Sequence, residues 1–160
     1  MLKKARNDIS NHCPLKKETA GDLKILEGEI IMVSRKIVST DKAPAAVGPY
    51  SQAIRSGDFL FVSGQLPIDM ATGEFPETIA EQTRCCLCNL EAIAEKGKTS
   101  LKNAVKLSIF LTDMNDFAEM NAAYAEFFDD RPPARSTIEV AGLPKNAPIE
   151  IDAIIALETQ

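Results

Sequence analysis

Histidine is almost absent from this sequence, and its absence narrows the chemistry that the chain can perform. The single histidine is His12, so residues 13–160 contain none. Ser/His/Asp and Cys/His triads, HExxH motifs and most zinc sites all require histidine. The sequence therefore excludes these classes of active site from residues 13–160.

The four cysteines do not form a pattern typical of disulfides or metal sites. Cys85, Cys86 and Cys88 lie within four residues of one another, and Cys13 is far from them in the sequence. Adjacent side chains on a helix point about 100° apart, so Cys85 and Cys86 cannot both join Cys88 at one metal ion without distortion. We expect buried or half-exposed free thiols in a reducing compartment.

Arg135 and Asn121 are polar side chains that interrupt otherwise apolar patterns. Arg135 follows Pro132-Pro133-Ala134 at the start of a predicted strand. It is either a solvated arginine or a planar fork that grips a carboxylate through two charge-assisted hydrogen bonds. Asn121 lies in the apolar stripe of a predicted helix, between Phe117 and Tyr124. A buried amide without partners costs about 1–3 kcal/mol, so Asn121 either ties down a loop backbone or lines a site.

Other polar or small residues lie near the ends of predicted strands. Glu150 is flanked by two isoleucines, so its face is either a cleft or interface, or a simple outward-facing surface. Tyr50 follows Gly48-Pro49 at a loop-to-strand junction, where a phenol can be offered to a ligand or to an interface. Ser63 and Gly64 end another strand, and a glycine there lets a ligand approach the backbone closely.

Six strands and two helices are predicted to position these side chains. A capping box at Thr78 and Glu81 begins the first helix, and Gly97 ends it. The second helix is predicted from about Asn115 to Phe128, on an apolar stripe. β-prone or alternating patterns predict the strands Lys36–Thr40, Tyr50–Arg55, Phe59–Ser63, Ala104–Leu111, Ala134–Val140 and Ile149–Leu157.

This element order predicts an α+β fold with one sheet. Two helices can cover only one face of such a sheet. On Ala104–Leu111 we expect one face to carry Val105 and the three aliphatic residues that alternate with it. The opposite face of the sheet would carry Phe110 and Ile154, which is too apolar for a bare surface and indicates burial in an oligomer.

Length and composition indicate one globular domain with a short extension. The chain has 160 residues, of which 45% are hydrophobic, and a net charge of −5. Neither a secretory signal nor an apolar run of about 20 residues is present, so we expect a cytoplasmic protein. The negative charge disfavours a nucleic-acid partner without excluding one.

Residues 1–33 read as a polar extension without sustained periodicity, and residues 34–160 as the folded domain. Residues 27–32 can be encoded by GAA-GGA-GAA-ATT-ATT-ATG, a purine-rich ribosome-binding sequence before a start codon. Met32 is therefore a candidate for the native start. An ordinary flexible arm explains the same segment equally well.

Five separated motifs occur in an order that resembles the RidA/YjgF family of reactive-intermediate deaminases. The resemblance extends from about Ser34 to Leu157. The motifs are Ala43–Ala53, Ser63–Gln65, Asn115–Phe117 with Asn121, Pro133–Val140 and Ile149–Ile151.

The resemblance implies a chorismate-mutase-like α+β fold, in which a six-stranded mixed sheet carries two helices on one face. It further implies a homotrimer with three active sites in the clefts between subunits. The implied activity is that of a 2-iminobutanoate/2-iminopropanoate deaminase, a hydrolase active in metabolite damage control. Such an enzyme converts 2-aminoacrylate and 2-aminocrotonate, in their imino or enamino forms, to 2-oxo acids and ammonia, with no metal or cofactor.

The resemblance also implies roles for individual residues. Arg135 would bind the substrate carboxylate with help from Thr137, a position where many relatives have cysteine. Tyr50, Ser63 and Gly64 would shape the substrate pocket. Asn121 and Glu150 would position or activate water.

Two other functions compete with this one. A binding module could use the same clefts to sense small metabolites without turnover, but such a module would not need Glu150 beside Arg135. An endoribonuclease or translation inhibitor is the second alternative, because some members of the family carry that name. The negative charge, the scarcity of histidine and the lack of a basic stripe argue against it.

Overall fold

The computed structural model describes residues 23–26, 29–32, 34–128 and 130–157. The chain divides into two compact units, Met1–Met32 and Val33–Gln160. In the first unit, β1 (Leu23–Leu26) pairs with β2 (Glu29–Met32) in an antiparallel two-stranded sheet. The sequence analysis did not predict these strands, because the segment lacks a sustained period of two. The predictions for His12 and Cys13 lie outside the described residues.

The second unit contains the predicted six-stranded mixed sheet, with strand order β3-β4-β5-β8-β6-β7. Neighbouring strands are antiparallel except β6 and β7, which are parallel. The strands are β3 (Arg35–Val38), β4 (Ala53–Ser56), β5 (Phe59–Gln65), β6 (Ala104–Leu111), β7 (Ala134–Glu139) and β8 (Ile149–Ala156).

Most predicted strand boundaries differ from the observed ones by one or two residues, and two elements differ by more. The strand expected from Tyr50 begins only at Ala53, because the Tyr50 amide bonds back to the Gly48 carbonyl in a turn. The second helix, α2, is Phe117–Ala125, shorter than predicted. A 3-10 turn, Met114–Asp116, replaces its first residues, because the Asp113 side chain accepts a hydrogen bond from the Asn115 amide.

The first helix, α1 (Ile79–Lys96), has the predicted boundaries. Both hydrogen bonds of the capping box at its N-terminus are formed. The Thr78 hydroxyl accepts from the Glu81 amide, and the Glu81 carboxylate accepts from the Thr78 amide. Gly97 ends the helix as expected. Two further 3-10 turns, Leu101–Asn103 and Pro144–Asn146, precede β6 and β8.

The core lies between the helices and one face of the sheet, as predicted. Leu87, Leu90 and Ile93 of α1 are fully buried, and so are the alternate residues of β6 and β8 that face them. Burial of each such aliphatic side chain contributes about 1.5–3 kcal/mol of transfer free energy. Those facing residues are Leu107, Ile109, Leu111, Ile149, Ile151 and Ile155.

Val105 does not belong to this buried face, contrary to the prediction, and is 43% exposed. The register between β6 and β8 shifts between Ala104 and Lys106. A bulge leaves one residue of the strand out of the pairing. The alternation of buried and outward-facing side chains on β6 therefore begins only after Val105.

The face of the sheet away from the helices is strongly apolar. Phe110 and Ile154 are partly buried there, and Phe61, directly opposite Ile154, is 44% exposed. Phe59 and Ile138 are similarly exposed. We call this surface the open face, and its aromatic and aliphatic side chains require cover from another molecule. None of the helices in the described part of the chain is long and apolar enough to cross a membrane.

Candidate active site

A cavity of about 420 Å³ lies beside the start of β8. It is enclosed by the loop before β4, the end of β5 and the 3-10 turn Pro144–Asn146. Tyr50, Ser63, Gly64 and Glu150, four of the predicted site residues, line it. Apolar walls come from Val47, Leu66 and Ile68, among others. We call this cavity the Glu150 pocket.

Gln52 fixes the loop that forms one wall of the pocket, a role that the sequence analysis missed. Its side chain is buried and accepts from the Thr40 amide at 2.7 Å. Its amide group donates to the carbonyls of Thr40 at 3.0 Å and Pro44 at 2.8 Å. A glutamine at the end of an apolar strand is the signal that could have identified it.

Tyr50 lies at the rim of the pocket, where half of its surface is exposed. Its hydroxyl accepts a hydrogen bond from the Val47 amide at 3.3 Å. Gly48 between them has φ +136°, a backbone conformation that other residues rarely adopt. The turn therefore holds the phenol at the rim of the pocket.

Gly64 and Glu150 are in direct contact across the pocket floor. A side chain at Gly64 would overlap the Glu150 carboxylate, because a Cβ built there falls within 2.6 Å of the carboxyl carbon. Glycine is therefore required for the carboxylate to occupy its observed position. The neighbouring Ser63 hydroxyl donates to the Ser51 carbonyl at 2.8 Å, which joins this strand end to the loop before β4.

The Glu150 carboxyl is half-buried, with a negative neighbour on the same strand. Burial raises the pKa of Glu150, and the charge of Asp152 raises it further. Asp152 is itself held by the Ser108 amide, which donates to its carboxylate at 3.2 Å. A carboxyl group with a raised pKa accepts a proton more readily than an ordinary carboxylate, which suits it to general acid–base catalysis.

Arg135 lies elsewhere, on the edge strand β7 and against α2. Its guanidinium donates to the Asn121 side-chain oxygen at 2.8 Å. The guanidinium carbon lies 4.6 Å from the ring centroid of Tyr124 and 5.9 Å from that of Phe117. We call Arg135 with these three residues the Arg135 cradle. Arg135 is thus held in place rather than freely solvated, and no carboxylate within the described ranges forms an ion pair with it.

Asn121 lies within the apolar stripe as expected, and of its two predicted roles the contact with a loop backbone is not observed, whereas lining a site stays a prediction. The amide oxygen binds the guanidinium of Arg135 and not a loop backbone. A role for Asn121 toward water stays a prediction. Thr137, two residues after Arg135 on the same face of β7, has a buried hydroxyl without a hydrogen-bond partner among the described residues.

One chain does not bring the cradle and the pocket together. Arg135 pairs with Leu107 and faces the helices, whereas Glu150 pairs with Phe110 and faces the open side of the sheet. Strand β6 lies between β7 and β8. The predicted site residues therefore form two groups on opposite faces, Arg135, Asn121 and Thr137 in one and Tyr50, Ser63, Gly64 and Glu150 in the other.

The three cysteines of α1 are free thiols, as predicted. Burial raises the pKa of Cys85 to about 11 and that of the fully buried Cys86 well above its usual value. Cys86 is buried, Cys85 is intermediate and Cys88 is exposed, in agreement with the expectation of buried or half-exposed thiols. Raised thiol pKa values keep these side chains protonated and poorly nucleophilic.

Comparison with known proteins identifies the family. The family model described as Endoribonuclease L-PSP matches residues 40–157. The chain is 56% identical over 121 residues to the RutC family protein y4sK of Sinorhizobium fredii, which covers 75% of this chain and 96% of that protein. The chain belongs to the RidA/YjgF family.

Two Escherichia coli members of the RidA/YjgF family extend the comparison. TdcF, named as a candidate reactive intermediate deaminase, is 42% identical over 123 residues, or 75% of this chain and 95% of that protein. The crystal structure of TdcF with bound serine has a TM-score of 0.74 at 41% identity and covers 77% of this chain and 99% of its own. The structure of the YjgF gene product gives 0.72 at 42% identity, with the same coverage.

These matches agree on the fold of residues 40–157 but carry different functional names. A matching relative is named for deaminase activity, whereas the matching family model is named for endoribonuclease activity. The chemistry of this chain therefore has to be argued from its own side chains.

Proposed function

We propose that this protein hydrolyses 2-imino and 2-enamino acids to 2-oxo acids and ammonia. The proposal rests on the positions of two charged groups, Arg135 on the helix side of the sheet and Glu150 on its open face. The Arg135 cradle offers a fixed cation without a carboxylate partner among the described residues, and the Glu150 pocket offers a half-buried carboxyl. An anion anchor and a proton relay are the two functions that hydrolysis of an imino acid needs.

The proposal requires that the two groups come from different subunits. A second copy that covers the open face would protect its apolar side chains from water. The same arrangement would bring the Arg135 cradle of one subunit to the Glu150 pocket of its neighbour. We propose a homotrimer, because three sheets closed around a threefold axis cover all three open faces and generate three shared sites.

Arg135 serves as the carboxylate anchor in this scheme. A guanidinium presents several N–H donors in one plane, and within the described residues one of them is used, in the hydrogen bond to Asn121. Two parallel N–H groups can therefore bind both oxygens of a substrate carboxylate. The Thr137 hydroxyl, buried and without a partner in the described part of the chain, lies close enough along β7 to assist.

Glu150 carries the proton transfers. Water adds to C2 of the imino acid, forming a C–O bond, while the electrons of the C=N double bond move to nitrogen. Glu150 takes a proton from the water and delivers a proton to the nitrogen. Glu150 next takes the proton of the new hydroxyl group and delivers it to the amino nitrogen. The C–N bond then breaks, the C=O double bond forms and ammonia leaves, so each turnover consumes one water molecule. An enamine enters the same route after protonation at C3.

Substrates such as 2-aminoacrylate and 2-aminocrotonate fit this chemistry. In both, the carboxylate is bonded directly to C2, the carbon that water attacks. An anchor for the carboxylate and a proton relay for C2 therefore have to lie in one cleft. TdcF, the relative whose name describes a reactive intermediate deaminase, was solved with serine bound. We propose that this chain likewise binds a small amino-acid-derived ligand, as a cytoplasmic enzyme of metabolite damage control.

The test is a coupled assay with threonine dehydratase, which releases 2-aminocrotonate from threonine. The protein is expected to accelerate the appearance of 2-oxobutanoate, and Glu150→Gln is expected not to. Binding of 2-oxobutanoate without any acceleration would instead identify a metabolite-binding module. Cleavage of RNA by the wild type but not by Arg135→Ala would support an endoribonuclease.

We further propose that residues 34–160 contain the whole active site and that residues 1–33 are an extension outside it. Every predicted site residue lies in the unit Val33–Gln160, and the family model begins at residue 40. A chain that starts at Met32 is expected to keep full turnover in the coupled assay.

A further inference from the structure

Helix α2 presents three side chains to Arg135, and one of them, Tyr124, has no role in the reaction described so far. Phe117, Asn121 and Tyr124 are separated by four and three residues, so they share one face of the helix. Tyr124 is the nearer of the two aromatic rings, with the guanidinium carbon 4.6 Å from its centroid. At this distance a cation is attracted to the face of the ring.

The Tyr124 ring is itself firmly placed. Tyr124 is only 5% exposed, and its ring packs on Phe128 with the centroids 4.7 Å apart. Helix α2 is tied to α1 by the ion pair between Arg84 and Glu126 at 2.6 Å. A second link joins the Glu119 carboxylate to the Ala80 amide at the start of α1. The surface under Arg135 is therefore a rigid one.

We infer that Tyr124 is a positioning residue whose ring sets the plane of the Arg135 guanidinium for binding the substrate carboxylate. The identity of that ligand rests on the proposed function. A single hydrogen bond to Asn121 fixes one nitrogen but leaves the guanidinium free to rotate about it. A buried ring beneath the guanidinium restricts that rotation, because the cation is attracted to the face of the ring.

The ring of Tyr124, and not its hydroxyl, carries this role. The hydroxyl is buried and has no hydrogen-bond partner among the described residues. Burial raises the pKa of Tyr124, while Arg135 beside it acts in the opposite direction, so the phenol is neutral near neutral pH. The contact with Arg135 is therefore a cation–π contact rather than an ion pair.

Three variants distinguish the effect of the Tyr124 ring from the effect of its hydroxyl and from the effect of packing in the core. Tyr124→Leu removes the ring, and we expect it to raise KM for 2-aminocrotonate about tenfold with little change in kcat. Tyr124→Phe keeps the ring and is expected to stay within about twofold of the wild-type KM. Phe128→Leu removes the aromatic ring behind Tyr124 and is the matched control, expected to lower stability while leaving KM within about twofold.

A spectroscopic measurement tests the positioning without relying on turnover. The Arg135 Nε–H proton, observed by NMR in arginine-labelled protein, should carry a ring-current shift in the wild type and in Tyr124→Phe. That shift should disappear in Tyr124→Leu. Titration with 2-oxobutanoate should show weakened binding in Tyr124→Leu alone.

The inference is overturned if Tyr124→Leu keeps both its KM and the Arg135 shift, or if Tyr124→Phe loses as much affinity as Tyr124→Leu. Failure of the proposed function would look different. The wild type would then lack turnover, while the NMR shift would still show whether Tyr124 orients Arg135.

Discussion

The Glu150 pocket and the Arg135 cradle are built in different ways. The pocket is formed largely by loops, held by side-chain bonds such as those of Gln52 to the loop at Thr40 and Pro44. The cradle is formed by one strand and one helix, with the guanidinium carbon over a buried ring, 4.6 Å from its centroid. The pocket therefore holds a volume open for a ligand, whereas the cradle fixes one cation in one orientation.

This difference implies a division of labour between the two regions. In the proposed mechanism, the proton relay Glu150 lines an open cavity, and the carboxylate anchor Arg135 lies on a strand and against a helix. Substitutions in the pocket should therefore lower kcat, whereas substitutions in the cradle should mainly weaken substrate binding. The predictions below test that distinction.

The largest effect is expected for Glu150→Gln, which keeps the shape of the side chain but removes its proton transfer. Turnover should fall about 100-fold or more, the usual contribution of a general acid–base group. Steady-state kinetics in the threonine dehydratase assay would measure it. Glu74→Gln, the same substitution at an exposed residue outside the pocket, is the matched control and is expected to keep normal kcat. Near-normal kcat in Glu150→Gln would remove the pocket from the mechanism.

Arg135→Lys comes next, with an expected fall in kcat/KM of about 10- to 100-fold, mostly through KM. An ammonium is a point charge and cannot reproduce the two-point grip of a guanidinium on a carboxylate, and a charged hydrogen bond contributes about 1.5–3 kcal/mol. Arg55→Lys on β4 is the matched control, because Arg55 is an exposed strand arginine. If Arg135→Lys keeps normal activity while its stability is unchanged, the anchor role is wrong.

Gly64→Ala should lower activity about tenfold, because the new Cβ would displace the Glu150 carboxylate from its position on the pocket floor. Stability should change little, since the neighbour that has to move is the end of a flexible side chain. Gly142→Ala is the control, because a Cβ at Gly142 meets nothing within 4 Å. An active Gly64→Ala enzyme would show that the observed position of the carboxylate is not needed.

The smallest effect concerns pH. Asp152 raises the pKa of Glu150, so Asp152→Asn should lower that pKa and extend the active range toward lower pH. The active range extends toward lower pH because Glu150 must be ionised to accept a proton from water, and a lower pKa keeps it ionised at lower pH. The acid limb of the kcat/KM profile measures the shift. A limb that moves toward higher pH, or one that persists in Glu150→Gln, would assign the ionisation to another group.

The sequence predicted the elements more reliably than their arrangement around the site. The capping box at Thr78 and Glu81 depends on local spacing, and the alternating strand Ala104–Leu111 likewise depends on neighbours in the chain. Val105 was misassigned because a bulge depends on pairing with β8, a partner distant in the sequence.

The site could be predicted residue by residue but not as a geometry. Arg135 and Asn121 were each identified as out of place, yet their mutual hydrogen bond depends on how β7 lies against α2. Tyr124 was assigned to the core because its spacing fits an apolar stripe, and a ring that also stacks on a cation has the same spacing. The separation of Arg135 from Glu150 follows from strand order, which periodicity does not determine.

The most direct test of the shared site is complementation between two inactive variants. Arg135→Ala and Glu150→Gln chains are unfolded together in equal amounts, refolded, and assayed with light scattering to verify a mass of about three times 17.4 kDa. If each site takes Arg135 from one subunit and Glu150 from its neighbour, random mixing restores both groups in about a quarter of the sites. We predict about that fraction of wild-type activity. A mixture as inactive as either parent, at the same trimeric mass, would contradict the shared site.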